Sequence, residues 1–285
     1  MNYLYYPGCS LTGSAREYDV STRALMALLG AELTEIEDWT CCGASAAEAV
    51  DPMLSLSLAG RNLALAETMS AGPDILVPCS ACYLNLKRAE AAVREQGGAL
   101  DDINTVLAGE GVIVNDNHHI RHLLDVLSRD VGADIIIGRR VRDLAGLAIA
   151  PYYGCQCLRP YAEFDDPENP ASMEPLIAAT GASVHRWSMG GKCCGASHMT
   201  TDRAVALELV GAILDAAAGA DAVVTVCPMC QMNLEAFQLK ISRQRRNKLD
   251  IPILYLPQLL GLSMGLPADT LALDLNLSNV GVFQN

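Results

Sequence analysis

Asp74-Ile75-Leu76-Val77-Pro78-Cys79-Ser80-Ala81-Cys82 and Ala222-Val223-Val224-Thr225-Val226-Cys227-Pro228-Met229-Cys230 are two versions of one motif: a short apolar run, then Cys-x-x-Cys. A continuous apolar run of this length reads as a strand buried on both faces. The thiols then fall at its carboxyl end, where parallel α/β sheets bind their ligands. Working outward, Tyr3–Tyr6, Val112–Val114 and Gly146–Ala150 read as further strands, and Pro52–Met69, Leu84–Glu95 and Asp202–Ala217 as helices. Strand alternating with helix predicts an α/β fold with largely parallel sheets and flanking helices.

The motif belongs to a longer duplication. Ten of the eleven cysteines follow one order twice: Cys9, Cys41-Cys42, Cys79, Cys82, and then Cys155, Cys193-Cys194, Cys227, Cys230. The neighbours repeat as well. Gly43-Ala44-Ser45 and Gly195-Ala196-Ser197 follow the cysteine pairs, Trp39 and Trp187 precede them, and Asn85-Leu86 and Asn233-Leu234 follow the Cys-x-x-Cys motifs. This internal repeat predicts two units, 1–147 and 148–285, each with its own thiol quintet.

Composition narrows the function. A net charge of -13 without a long basic stripe argues against nucleic acid, and 51% hydrophobic with 19% charged residues argues against disorder. The opening Met1-Asn2-Tyr3-Leu4-Tyr5-Tyr6 lacks the flanks of a signal peptide, and no stretch approaches the apolar length of a membrane span. Eleven cysteines in such a chain point to metal ligation or catalysis in a reducing, cytoplasmic setting. Soft thiolates in fives suit iron and sulfide. Zinc takes four ligands, and a thioredoxin-like dithiol leaves Cys9, Cys41 and Cys42 unexplained, though both alternatives stay open. Cys-x-x-Cys at a helix start would favour the thiolate, and glycines after the cysteine pairs would let backbone approach it.

Tyr6-Pro7-Gly8-Cys9, Trp39-Thr40-Cys41-Cys42-Gly43, Val77-Pro78-Cys79, Tyr153-Gly154-Cys155, Leu158-Arg159-Pro160, Gly191-Lys192-Cys193-Cys194-Gly195 and the Cys227–Cys230 motif resemble the cysteine-rich CCG domains of the heterodisulfide reductase B subunit. The resemblance runs through most of the chain. It implies two repeats related by a pseudo-two-fold axis, each quintet holding one of two noncubane 4Fe-4S clusters, with a disulfide split between them by two one-electron steps. It implies a ferredoxin-like iron–sulfur subunit and a flavin-containing subunit as partners, and a small disulfide or thiol as substrate. A thiol-oxidising relative, or an electron-relay CCG subunit of a quinone-linked or hydroxy-acid oxidoreductase, are the alternatives. No nicotinamide or flavin fingerprint is present in the sequence, so reducing equivalents are expected from another chain.

Around the quintets, His198 is a candidate proton donor, because it follows the second Gly-Ala-Ser where the first copy has Ala46. Lys192 and Arg159 are candidates for attracting an anionic substrate, with a solvated rim charge as the plain alternative. Cys157 reads as a packed small hydrophobe, and Gln156 stands where the resemblance leads one to expect histidine. His118, His119 and His122 read as a helix-start cluster following the strand at Val112–Val114. The basic run Lys240–Lys248 reads as a solvated helix end.

Overall fold

The computed structural model describes residues 1–44, 46–69, 74–95 and 98–283. Ser45 of the first Gly-Ala-Ser lies outside them. Two four-stranded, all-parallel sheets are built in the same order. Strands β1 (Asn2–Tyr5), β2 (Glu32–Glu35), β3 (Ile75–Val77) and β4 (Ile120–His122) lie as β2-β1-β3-β4. Strands β5 (Ala148–Tyr152), β6 (Ser183–Val184), β7 (Ala222–Thr225) and β8 (Ile253–Tyr255) lie as β6-β5-β7-β8. The α/β class and the twofold repetition are as the sequence implied.

Chemistry explains which strands were legible. β3 and β7 are fully buried, so every residue but Thr225 is apolar, and the run is continuous. The edge strand β2, Glu-Leu-Thr-Glu, is mostly exposed and blunts its free edge with charge. One expectation is corrected. Val112–Val114 forms no strand; the strand pairing with β3 is Ile120-Arg121-His122. Its polar residues are tolerated because Arg121 donates to Asp125 (2.7 Å) and Asp130 (2.7 Å), while His122 ends the strand and caps the next helix by accepting from Leu124 N at 3.1 Å.

The halves join by an exchange of helices. Helix Arg16–Leu28, after β1, packs on helix Leu256–Ser263, after β8. Reciprocally, helix Glu174–Ala179, after β5, packs on helix Gly132–Arg139, which follows β4. The seam carries paired rings. Tyr18 stacks on Tyr255 with centroids 4.0 Å apart, and Phe164 stacks on His122 at 6.0 Å. Tyr18 and Phe164 each lie nine residues after the first cysteine of their quintet, and Tyr255 and His122 each end the last strand of their sheet. Ring stacks of this kind contribute about 0.5–1.5 kcal/mol beyond the area they bury.

Candidate metal centre

Each quintet gathers at the carboxyl ends of its strands. Cys9 follows β1 and Cys155 follows β5. Cys79 and Cys227 cap the helices Ser80–Arg94 and Pro228–Ala236 with extended backbone, which places Cys82 and Cys230 in the first turn. The pairs Cys41-Cys42 and Cys193-Cys194 arrive on the loops after β2 and β6. All ten are free thiols; Cys9, Cys41 and Cys193 are exposed, Cys155 is half-buried and the rest are buried.

The same four devices hold both quintets. Tyr6 donates to Thr40 O at 2.6 Å and Tyr152 donates to Lys192 O at 2.7 Å, so a buried phenol pins the residue before each cysteine pair. Trp39 and Trp187 meet those rings edge-on. Asn85 Nδ2 donates to Cys42 O at 2.9 Å, and Asn233 Nδ2 to Cys194 O at 3.2 Å. Gly8 (φ +72°) and Gly154 (φ +71°) complete the cradle: a Cβ on either would sit 2.8 Å from Cys82 Sγ or 2.9 Å from Cys230 Sγ. Only glycine serves there.

The thiols are close enough to share protons. Cys42 Sγ and Cys82 Sγ are 3.4 Å apart. Donation from Cys41 and Cys82 pushes Cys42 down to about 4, donation from Cys155 pushes Cys193 down to about 6, and donation from Cys230 pushes Cys227 down to about 7. Backbone N–H groups at the helix start add to the last of these, as expected for a thiol at that position. Each repeat thus offers thiolates backed by protonated partners. Among the described residues no three His, Cys, Asp or Glu side chains form a site for a single metal ion. Five soft donors in a glycine-relieved cradle suit a polynuclear iron–sulfur group better than one tetrahedral ion.

The other sequence candidates divide. Arg159 and His198 lie near enough to Cys193 for their positive fields to favour its thiolate. Arg159 is also committed to its loop, donating to Gly191 O (2.6 Å) and Pro167 O (2.7 Å) and pairing with Glu168. His198 is exposed at the end of the turn Ala196–His198. Lys192 is exposed and lines a cavity with Glu168, Glu174 and Trp187, apart from the cavity that the second quintet lines. Cys157 is buried, donates to Tyr153 O at 3.2 Å, and occupies the position of Leu11 in the first repeat, both two residues after the leading cysteine. His119 meets Glu90 at 2.9 Å while His122 faces Ser80 at 3.2 Å, so the three histidines make no metal site. Arg245 of the basic run pairs with Glu208 and Asp215. Tyr6 enters the sequence reading only as part of a strand and of the Tyr6-Pro7-Gly8-Cys9 motif, and Tyr152 not at all, although both stand three residues before a leading cysteine.

The CCG cysteine-rich domain matches residues 3–87 and again 149–235. The 8-methylmenaquinol:fumarate reductase membrane anchor subunit of Wolinella succinogenes is 37% identical over 279 residues, 96% of each chain. A protein of Archaeoglobus profundus described as like the B subunit of heterodisulfide reductase is 28% identical over 95% of this chain and 93% of its own. The B subunit of a ferredoxin/F420H2-dependent CoB-CoM heterodisulfide reductase of Methanosarcina acetivorans is 27% identical over 95% and 92%. The crystal structure of a hypothetical protein from Helicobacter pylori shares the fold, with a TM-score of 0.80 at 15% identity over 98% of this chain and 52% of that one. No helix among the described residues is long and apolar enough to cross a membrane. The chain belongs to the CCG cysteine-rich domain family and carries that domain twice.

Proposed function

We propose that this chain is the iron–sulfur subunit of a multisubunit oxidoreductase, with residues 1–147 and 148–285 each holding one noncubane 4Fe-4S cluster on its cysteine quintet. The observation that carries this reading is the duplicated cradle: ten thiols at the strand ends, with the same phenol, amide and glycine in each half. When bound, such clusters supply one-electron transfer. The protein's own residues hold the group. Cys42, Cys193 and Cys227 present thiolates, Tyr6 and Tyr152 fix the cysteine-pair loops, and Asn85 and Asn233 fix the carbonyls between them.

The 37% identity to the fumarate reductase membrane anchor subunit supports an electron-relay role in a quinol-linked, membrane-associated complex. A flavin-containing partner and a ferredoxin-like iron–sulfur subunit would complete the chain of carriers. The relatives named for heterodisulfide reductase favour a second reading, reduction of a small disulfide to two thiols. There, the exposed Cys9, Cys41 and Cys193 mark the side a substrate would approach, and Arg159 and His198 stand beside Cys193.

Anaerobic purification of the complex tests both. The expectation is about eight irons per chain, with electron paramagnetic resonance signals that respond to a quinol analogue. An iron content near zero removes the cluster reading. Signals that a disulfide or thiol perturbs, while the quinol analogue leaves them alone, transfer the role to disulfide reduction.

A further inference from the structure

Two helices hold the same place in their repeats and carry opposite charge. Helix Ala99–Leu107 follows Ser80–Arg94 and packs on it and on Pro52–Met69. Helix Gln238–Arg245 follows Pro228–Ala236 and packs on it and on Arg203–Ala216. The first bears the exposed Asp101 and Asp102 and no basic residue. The second belongs to the stretch Pro228–Lys248, whose sole carboxylate is the buried Glu235. In a chain of net charge -13 this is a local reversal of sign.

The reversal is confined to one face. Phe237 keeps right-handed helical backbone where the two helices meet, and Ile241 N donates to its carbonyl at 2.9 Å, so one periodicity runs through both. Leu234, Gln238 and Ile241 are buried. On the other side Met232 (46% exposed), Leu239 (64%), Lys240 and Arg243 recur at helical spacing and face solvent. Arg245 is held by Glu208 and Asp215, whereas Lys240, Arg243 and Arg246 make no ion pair among the described residues. The exposed Arg203 joins them, its guanidinium 5.4 Å over the Phe237 ring. Met232 stands directly before Asn233 as Leu84 stands before Asn85, yet Leu84 is buried. The protruding apolar side chain is a feature of the second repeat alone.

We infer that this face seats on an anionic membrane surface, with the acidic helix of the first repeat turned away from it. Lys and Arg are drawn to such a surface, and their long stems let apolar side chains between them enter the interface. Met232 and Leu239 protrude from the outside of a helix among unpaired cations. A fluid anionic surface takes up that shape, where a folded partner would need a matching hollow. The opposite signs of the two helices set the orientation, because Asp101 and Asp102 are repelled. Helix Pro228–Ala236 carries Cys230 in its first turn, so the C-terminal quintet lies on the helix that meets the lipid. This rests on the proposed place of the chain in a membrane-associated complex and names the face that such a place would use.

The experiment is co-sedimentation of the intact complex with vesicles of phosphatidylcholine, alone or with about one-third phosphatidylglycerol, at low and high salt. Binding should require the anionic lipid and weaken with salt. Lys240→Gln combined with Arg243→Gln should lower the partition coefficient about thirtyfold, each basic side chain near the surface contributing about fivefold. Leu239→Ser should lower it by less and keep the parental salt dependence. All three side chains are exposed, so both variants should keep the parental iron and subunits. Parental binding that ignores the anionic lipid, or unchanged binding in the double variant, overturns the face alone and leaves the membrane-associated reading standing. Loss of a subunit from the double variant at parental vesicle binding gives the face to an acidic protein partner and overturns the inference too. A parent that binds neither vesicle overturns the inference and the membrane-associated reading together.

Discussion

The two repeats agree closely around the thiols and diverge at the seam between them. Eight residues after Cys155 stands Glu163, and eight after Cys79 stands Lys87; their side chains meet across the seam at 3.2 Å. The corresponding positions on the other side of the pseudo-axis are Glu17 and Glu235, eight residues after Cys9 and Cys227. There two carboxyls face a common buried region, in which Tyr255 feels both of them and Cys227 as well. One flank of the seam is an ion pair and the other is a pair of like acids. With Ser80 opposite Pro228, and His122 opposite Tyr255, the same division recurs. Cage-building residues are duplicated, whereas the polar groups one layer out are single. A duplicated cage with unequal surroundings can hold two like centres that differ in their readiness to accept an electron.

The largest effect should come from removing a thiol. Cys41→Ala should cost the N-terminal centre, lowering iron from about eight to about four per chain, while the C-terminal centre keeps its spectrum. Full iron in that variant would separate Cys41 from the ligand set and break the symmetry of the quintets.

The cradle glycines come next. Gly154→Ala places a Cβ 2.9 Å from Cys230 Sγ on backbone at φ +71°. Gly30 has φ +77° with nothing within 4 Å of its would-be Cβ, and isolates the conformational cost of roughly 1–2 kcal/mol. Gly30→Ala should therefore lower the melting temperature and retain all iron. Gly154→Ala should lose the C-terminal centre's iron in addition. Equal iron in the two variants would show that backbone freedom, and not the approach of sulfur, requires glycine at residue 154.

Much of this is legible in the sequence alone. The quintets, the strands carrying Cys79 and Cys227, and helix Pro52–Met69 are local patterns, and local patterns survive in sequence. The seam is a different matter. Nothing near Ser80 announces that it lines the cavity of the second quintet, because its hydroxyl donates across 146 residues to Val226 O. The sequence points to Val112–Val114 instead of β4 because an apolar triplet outweighs Ile120-Arg121-His122 in a periodicity reading. The partners that make a half-buried arginine and a buried histidine tolerable lie outside the triplet. β6, two residues long, is below the length at which alternation can be seen. The position-by-position match of Tyr18 with Phe164, or Glu17 with Glu163, needs only the leading cysteines aligned, but its meaning needs the seam.

The effect furthest from the metal centres tests the like-acid flank through pH. Glu17 is 6% exposed and, among the described residues, meets no basic side chain within 4 Å. Burial, with the charge of Glu235 adding to it, raises the Glu17 carboxyl from 4.5 to about 7. A raised carboxyl binds its proton more tightly in the native state than in the unfolded chain. From pH 4.5 upward the unfolded chain releases the proton first, so this carboxyl lowers native stability as pH climbs toward 7, and the loss levels off above that. Glu17→Gln removes the titration, and the variant should be more stable than the parent at about pH 8 by up to about 3 kcal/mol, with the two converging below the ordinary carboxylate range. Glu163→Gln, on the ion-paired flank, should produce a small loss near neutral pH, because Lys87 retains Glu90 at 2.5 Å. Chemical denaturation of the four-point set (both single variants, the double and the parent) across about pH 4 to 8 reads this directly. A Glu17→Gln curve parallel to the parent's at every pH would mean that the Glu17 proton is held no more tightly in the native seam than in the open chain.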